Sequence, residues 1–222
     1  MVGMKLFFAC LLFFGISSSA YAQVPNLVSQ ESLLDIDHIE DPALLQAFYG
    51  SMAGFPHTYE FVVTETLELY TQILLPDIDS SKNNISAIII KNAPRGGRVT
   101  EIARLEAKTA EWKKDFKPSG GDTYRNGPEF RTTLQSGTYR IEVHTPDNLE
   151  KYVLVVGTRD EMTIGYFELI GRIASVKAFF EKSPVRIIES VYVYVPAFLI
   201  IVIGSGVYYW WRRRRRLEEQ IN

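Results

Sequence analysis

The fold class is decided by the stretch Gly137-Thr-Tyr-Arg-Ile-Glu-Val-His-Thr-Pro-Asp-Asn-Leu-Glu-Lys-Tyr-Val-Leu-Val-Val-Gly157. Apolar and polar residues alternate in its first half, which is typical of a strand with one buried face. A Pro-Asp-Asn turn follows, and a second run with a matching apolar face comes after it. The stretch therefore predicts two consecutive strands. Their apolar faces consist of Tyr139, Ile141, Val143, Tyr152, Leu154 and Val156.

Five further runs of strand length precede this stretch, each bounded by turn residues and most of them rich in Val, Ile, Thr, Tyr and Phe. Seven short strands without alternating helices predict a mainly β domain, an antiparallel β-sandwich over residues 58–158. The apolar run at 85–90 is expected to lie centrally in a sheet. The seven runs are 58–63, 67–75, 85–91, 98–105, 129–134, 138–145 and 151–157.

The two segments 137–143 and 151–157 resemble the closing hairpin of prepeptidase-C-terminal-like jelly-roll domains. Residues 59–63 and 67–73 are similar to the opening strands of those domains, so the resemblance covers about residues 57–157. It implies a jelly-roll-like β-sandwich. Because such domains are non-catalytic modules of secreted and surface proteins, it also implies binding or display.

Helical patterns flank the predicted sandwich. Residues 23–57 are predicted to be helical or irregular, with a short helix over 41–49 that starts at Asp41 and Pro42 and ends at Gly50. Residues 162–182 predict an amphipathic juxtamembrane helix. That helix either packs against the sandwich, lies on a lipid surface or makes a juxtamembrane coiled contact. Its apolar face consists of Ile164, Phe167, Ile170, Ile173, Val176 and Phe180.

The N-terminal 22 residues have the pattern of a secretory signal peptide. A lysine precedes an apolar run, and an Ala-Tyr-Ala cleavage site ends at Ala22. Cys10, the single cysteine, lies inside that run. The mature chain is therefore expected to contain no disulfide, thiolate metal site or cysteine nucleophile.

Residues 191–211 are uncharged and predict a transmembrane helix, since 21 residues rise about 31 Å and match the hydrocarbon core. The Arg-rich tail, 212–222, is expected to be cytoplasmic because Lys and Arg favour that side. This predicts a single-pass protein of the cell membrane with its N-terminal domain outside. The expected interface residues are Tyr208, Tyr209, Trp210, Trp211, Arg212, Arg213, Arg214, Arg215 and Arg216.

The candidate ligand-binding surface is a glycine-rich loop, residues 118–128, beside an aromatic residue. Its donors, acceptors and aromatic faces suit sugar or peptide recognition. The alternative is an ordered loop that closes the sandwich over Trp112. The candidate residues are Trp112, Asp122, Tyr124, Arg125 and Asn126.

A weaker candidate for Ca²⁺ binding is Asp77, Asp79 and Asn83, whose oxygens have a spacing that can wrap a cation. Turn chemistry also accounts for these residues. No other cofactor is expected. The exported region has no G-x-S-x-G elbow and no phosphate-binding glycine loop, so no catalytic residues and no enzyme activity are predicted.

The whole chain has a net charge of −2, with a net positive tail behind an acidic body. An acidic body without a basic stripe argues against nucleic acid as a partner. The leading hypothesis is a non-enzymatic, membrane-anchored binding or surface-display module with an extracellular glycan or protein ligand. One alternative is a structural or assembly subunit whose sandwich docks on a neighbouring membrane protein through the juxtamembrane helix, and a second is a cargo-receptor-like single-pass protein.

Overall fold

The computed structural model describes residues 24–93, 97–161 and 164–218. The predicted signal peptide and residues 219–222 of the tail lie outside the described residues. The described chain contains eleven strands, two α-helices and two 3₁₀ turns, Ala107–Thr109 and Pro184–Glu189. The α-helices are α1, Tyr166–Phe179, and α2, Val191–Glu218. The strands are β1 Val24–Val28, β2 Ile36–His38, β3 Gln46–Ser51, β4 His57–Val63, β5 Leu67–Pro76, β6 Ser86–Lys91, β7 Thr100–Leu105, β8 Lys113–Lys117, β9 Asp122–Leu134, β10 Gly137–His144 and β11 Lys151–Val156.

The strands form two facing sheets, and the mainly β sandwich is confirmed. Sheet A has the order β1-β3-β11-β5-β9-β8, and sheet B has the order β2-β4-β10-β6-β7. Both sheets are mixed, because the pairs β1–β3 and β2–β4 are parallel whereas the other neighbours are antiparallel. The predicted central position of the 85–90 run is correct, since β6 lies between β10 and β7.

The two strands of the deciding stretch, β10 and β11, do not form a hairpin with each other. β10 pairs with β4 and β6 in sheet B, and β11 pairs with β3 and β5 in sheet A. The turn between them therefore crosses from one sheet to the other. Their predicted apolar faces meet in the core between the sheets, where all six side chains are buried.

The helix predicted over residues 41–49 is wrong. Asp41 does accept a hydrogen bond from the backbone N–H of Ala43 (3.0 Å), but only a turn follows it. Residues Gln46–Ser51 form β3, which pairs with β1 and β11. The ladder bonds on both sides and the burial of Ala47, Phe48 and Tyr49 outweigh the local capping signal. Residues 24–57 thus contribute three strands instead of helix.

The amphipathic helix predicted within 162–182 corresponds to α1, which packs on the outer face of sheet A. Val176, Phe179 and Phe180 contact a second apolar cluster that includes Tyr49 and Tyr124 of that sheet. The molecule therefore has three layers, sheet B, sheet A and α1. Phe167, predicted on the apolar face of the helix, is exposed.

α2 carries the predicted transmembrane segment. Val191–Arg216 is long and apolar enough to cross a membrane, and none of its most apolar window is buried against the rest of the protein. Among the described residues it is the one helix with these properties. Pro196 lies within its second turn without ending it.

Candidate functional site: the junction between the sandwich and helix α2

The turn between β8 and β9, residues 118–121, binds the segment of chain that leads into α2. The hydroxyl of Ser190 donates a hydrogen bond to the carbonyl of Ser119 (2.5 Å). The backbone N–H of Val191 donates to the carbonyl of Pro118 (2.9 Å). The first residue of α2 is thereby attached directly to sheet A.

Gly121 permits this close approach. Its φ is +73°, and a Cβ added there would lie 2.6 Å from the carbonyl carbon of Glu189. A residue with a side chain would clash with the backbone and would also be strained in the left-handed region. Glu189 pairs with Arg186, whose guanidinium holds the pKa of that carboxyl below its usual range.

A buried ion pair lies beside this turn. Asp122 and Lys177 are 1% and 0% exposed, and the Nζ of Lys177 donates to Oδ2 of Asp122 at 2.8 Å. Lys177 also donates to the carbonyl of Gly120 (2.7 Å), and Lys182 donates to Oδ1 of Asp122 (2.8 Å). Both carboxylate oxygens thus have a cationic donor, which offsets the cost of removing these charges from water.

Tyr124 lies under α1. Its side chain is buried, its hydroxyl is 2.8 Å from that of Tyr49, and its ring packs edge-to-face on Phe180 with centroids 5.0 Å apart. Burial raises the pKa of Tyr49 to about 12 and that of Tyr124 well above its ordinary value. The expectation of an exposed loop is therefore wrong at Asp122 and Tyr124, since β9 begins at Asp122 and both side chains are covered.

Arg125 occupies the region in which a cation was expected. Its Nε donates to Oδ1 of Asp77 (2.9 Å), and its Nη1 donates to Oδ1 of Asn83 (3.1 Å). Lys114 binds the other oxygen of Asp77 (2.7 Å) and is the main cause of the lowered pKa of that carboxyl. Asp79, the third candidate ligand, is exposed. Two of the three proposed calcium ligands therefore bind a guanidinium of the chain itself.

Trp112 and Asn126 lie at the end of the β8–β9 pair that is farthest from the turn at residues 118–121. The indole N–H of Trp112 donates to the carbonyl of Ala107 (2.9 Å), and its ring lies so close to Gly127 that an added Cβ would be 2.8 Å away. The amide of Asn126 donates to Asp115 (3.4 Å). The five candidate ligand-binding residues therefore do not converge on one surface.

The predicted membrane-interface residues lie on the exposed C-terminal turns of α2. The guanidinium of Arg215 is 3.6 Å from the ring centroid of Trp211, and that of Arg214 is 5.0 Å from Trp210. An aromatic and cationic band is the arrangement that a lipid headgroup region accommodates.

Sequence reasoning missed Lys177 as a member of the junction. The sequence does indicate that Lys177 is buried. Ile173 belongs to the predicted apolar face of the helix, and a residue four positions later lies on the same face. A lysine on the buried face of an amphipathic helix needs an acidic partner. The partner, Asp122, lies 55 residues earlier, so no local pattern could identify it.

A second buried polar cluster joins the two sheets. The hydroxyl of Tyr152 on β11 is 2.7 Å from that of Tyr59 on β4 and 2.8 Å from Nδ1 of His57. All three side chains are fully buried, and Nε2 of His57 has no hydrogen-bond partner. Burial lowers the pKa of His57, and the nearby Asp37 opposes that shift.

The outer face of sheet B has no helix over it in the described part of the chain. Arg140 on β10 donates to Glu60 on β4 (2.7 Å), and Asn92 donates to the same carboxylate (3.2 Å). Ile90, opposite Arg140 on β6, is partly exposed. This face therefore offers a salt-bridged polar group beside apolar side chains.

No protein family and no curated protein sequence matches the chain. Among solved structures, it is similar to the pre-peptidase C-terminal domain of collagenase from Bacillus anthracis, at 13% identity over 57% of this chain and 98% of that one, with a TM-score of 0.35. It is also similar to the Yersinia pseudotuberculosis-derived mitogen, at 14% identity over 53% and 88% of the two chains, with a TM-score of 0.32. The first of these structures is a domain of the kind that the sequence resembles.

Proposed function

We propose that this protein is a non-enzymatic, membrane-anchored β-sandwich that displays a binding surface outside the cell in a fixed orientation. The observation that carries the proposal is the junction at residues 118–121. Two hydrogen bonds and a buried ion pair join sheet A, α1 and the start of α2. The orientation of the sandwich relative to α2 is therefore fixed by these contacts. The predicted signal peptide and the arginine tail support the outward orientation.

We place the ligand surface on the outer face of sheet B, because no described helix lies over it, whereas α1 covers the part of the outer face of sheet A around Tyr49 and Tyr124. Its centre combines Arg140, Glu60 and the partly exposed Ile88 and Ile90. A charged group flanked by apolar side chains is typical of protein and glycan recognition surfaces. The ligand class we propose is therefore an extracellular protein or glycan.

The test is an array of glycans and surface proteins probed with the full-length chain in phosphatidylcholine nanodiscs. The variant Arg140→Ala is compared with Arg172→Ala on α1. The two arginine side chains are 37% and 36% exposed and each is paired with a glutamate, so the control is matched in exposure and ion pairing. Arg172 also donates to Asn26 on β1, and the unfolding midpoint of each variant verifies that α1 stays docked. We expect Arg140→Ala to weaken a captured ligand at least tenfold and Arg172→Ala to leave it unchanged. A silent array, or equal binding by both variants, would overturn the proposal.

The structure gives less support to an assembly subunit that docks through the juxtamembrane helix. That hypothesis used the apolar face of the juxtamembrane helix to dock a neighbouring membrane protein. In the structure, Ile173, Val176 and Phe180 of this helix are buried. A neighbouring protein would therefore have to use another surface.

A further inference from the structure

Three of the most exposed apolar side chains belong to the two elements that precede α2 in the chain, α1 and the 3₁₀ turn. Phe167 near the start of α1 is 87% exposed, and Val185 and Ile188 on the 3₁₀ turn are 72% and 62% exposed. A single exposed apolar side chain is ordinary, but a group of them beside one element marks a contact with another protein or with a membrane. We call these three residues the collar.

Contacts place the collar beside the first turns of α2. The hydroxyl of Tyr166 donates to the carbonyl of Tyr192, and the ring of Phe167 packs edge-to-face on that of Tyr166 with centroids 5.5 Å apart. Ile188 lines a groove together with α2 side chains of the first three turns. The α2 residues in this groove are Val193, Tyr194, Val195, Ala197, Phe198 and Ile201.

Val185 projects to the same side as Ile188. The two residues are three apart in a 3₁₀ turn, and such a turn has three residues per repeat, so their side chains eclipse. The polar residues of the same turn, Arg186 and Glu189, pair with each other. The turn is thus amphipathic, with its apolar side continuous with the groove along α2.

The length of the span fixes the depth of the collar. The uncharged segment, residues 191–211, is about 31 Å long and has no surplus over a hydrocarbon core of about 30 Å. Its first turn must therefore lie at the boundary between the hydrocarbon and the headgroups. Ala197, which lines the groove with Ile188, is about 9 Å further along the helix and inside the hydrocarbon.

We propose that the collar inserts into the outer interfacial layer of the bilayer that α2 spans, so that the base of the sandwich rests on lipid. The partner is the membrane itself, because the groove occupied by Ile188 is continuous with the lipid-facing surface of the span. This inference rests on the membrane anchoring in the proposed function. It adds a second contact, from residues outside the transmembrane segment.

The experiment measures the depth of spin labels in phosphatidylcholine vesicles that contain the full-length chain with Cys10→Ser. Single cysteines are placed at Phe167→Cys and Ile188→Cys in the collar. Ile203→Cys in the span is the lipid reference. Val62→Cys is the aqueous reference, since Val62 is 57% exposed on the outer face of sheet B, the side away from α1.

We expect labels at positions 167 and 188 to collide with oxygen more than with a water-soluble nickel chelate, at depths between those of the two references. Collar labels that behave like the one at Val62, while the label at Ile203 is in lipid, would overturn this inference alone. Collar labels shielded from both reagents would indicate a protein partner and would also overturn it. An aqueous label at Ile203 would overturn the membrane anchoring of the proposed function. The unfolding midpoint of each variant verifies that the sandwich is intact.

Discussion

Asp122 and Tyr124 are two residues apart on β9 and therefore project to the same side of sheet A, beneath α1. Asp122 contributes a carboxylate and Tyr124 an aromatic ring to the interface between sheet A and α1. Removing one partner of a buried ion pair costs about 3–5 kcal/mol, whereas replacing both partners by apolar groups is often neutral. We therefore expect the Asp122–Lys177 pair to determine where α1 docks more than it adds to stability.

Tyr124→Ala is expected to lower the free energy of unfolding by about 3–5 kcal/mol, because it removes a buried ring and leaves a cavity under α1. Tyr124→Phe is expected to cost about 1 kcal/mol through the lost hydrogen bond to Tyr49. Urea unfolding of the detergent-solubilised chain measures both. The control, Phe167→Ala, removes an exposed ring and should change stability by less than about 0.5 kcal/mol. An unchanged stability in Tyr124→Ala would show that this residue does not hold α1.

The sequence identified some features of this site and misplaced others for definable reasons. Ser119, Gly120 and Gly121 were correctly read as a turn, since turn chemistry is local. The extension of the loop to residue 128 was wrong, because the polar residues that follow Asp122 form a strand whose burial depends on α1. The burial of Asp122 and Tyr124 depends on residues of α1 that are distant in the sequence, so no local pattern predicts it.

His57 predicts a dependence of stability on pH. Burial lowers its pKa from 6.5 in the folded chain, so the unfolded chain binds the proton more readily. This stabilisation is present above about pH 6.5 and is lost as the pH falls through the lower folded value. Stability should therefore fall between about pH 8 and pH 5, and the fall should be smaller in His57→Gln, which does not titrate there. Equal slopes for the two proteins in urea unfolding would contradict the prediction.

At the scale of elements, β10 and β11 show that an alternating pattern predicts strands but not how the strands pair. Alternation correctly identified the face of each strand that is buried between the sheets, but the other face of β11, with Val153 and Val155, is also buried, in the cluster under α1. Alternation could not distinguish a hairpin from a crossing between facing sheets, since both arrangements bury the alternating apolar face of each strand. The segment 41–49 failed for a related reason, because the start signals of a helix are local and the partners of β3 are β1 and β11.

Two glycines test the docking of the linker that leads into α2. Gly121→Ala should lower the free energy of unfolding by at least about 1 kcal/mol, because its φ is positive and a Cβ would meet the backbone of Glu189. Gly171→Ala in α1, where an added Cβ has open space, should raise it by about 0.5–1 kcal/mol. Protease cleavage within 181–190 should accelerate only in Gly121→Ala. Equal cleavage rates in the two variants would indicate that the β8–β9 turn does not hold the linker.

At the scale of the whole molecule, the three layers and the apolar helix give the protein two unlike sides. α1 and the junction cover part of the outer face of sheet A, whereas no helix in the described part of the chain lies over the outer face of sheet B. Composition alone predicted the apolar segment and its length, since a membrane span needs no distant partner. The junction that orients the sandwich on that helix depends on contacts between residues 118–122 and 177–191, and it could be found only in three dimensions.

The orientation across the membrane is the last prediction, and labelling of intact cells with a membrane-impermeant maleimide measures it. Both variants carry Cys10→Ser, and the single cysteines are Leu34→Cys, at an exposed position of the sandwich, and Gln220→Cys in the tail. Because five consecutive arginines follow the span, translocation of the tail is disfavoured and the sandwich should face outward. We expect Leu34→Cys to react in intact cells and Gln220→Cys to react only after the membrane is permeabilised. The opposite pattern would place the sandwich inside and remove the basis for an extracellular ligand.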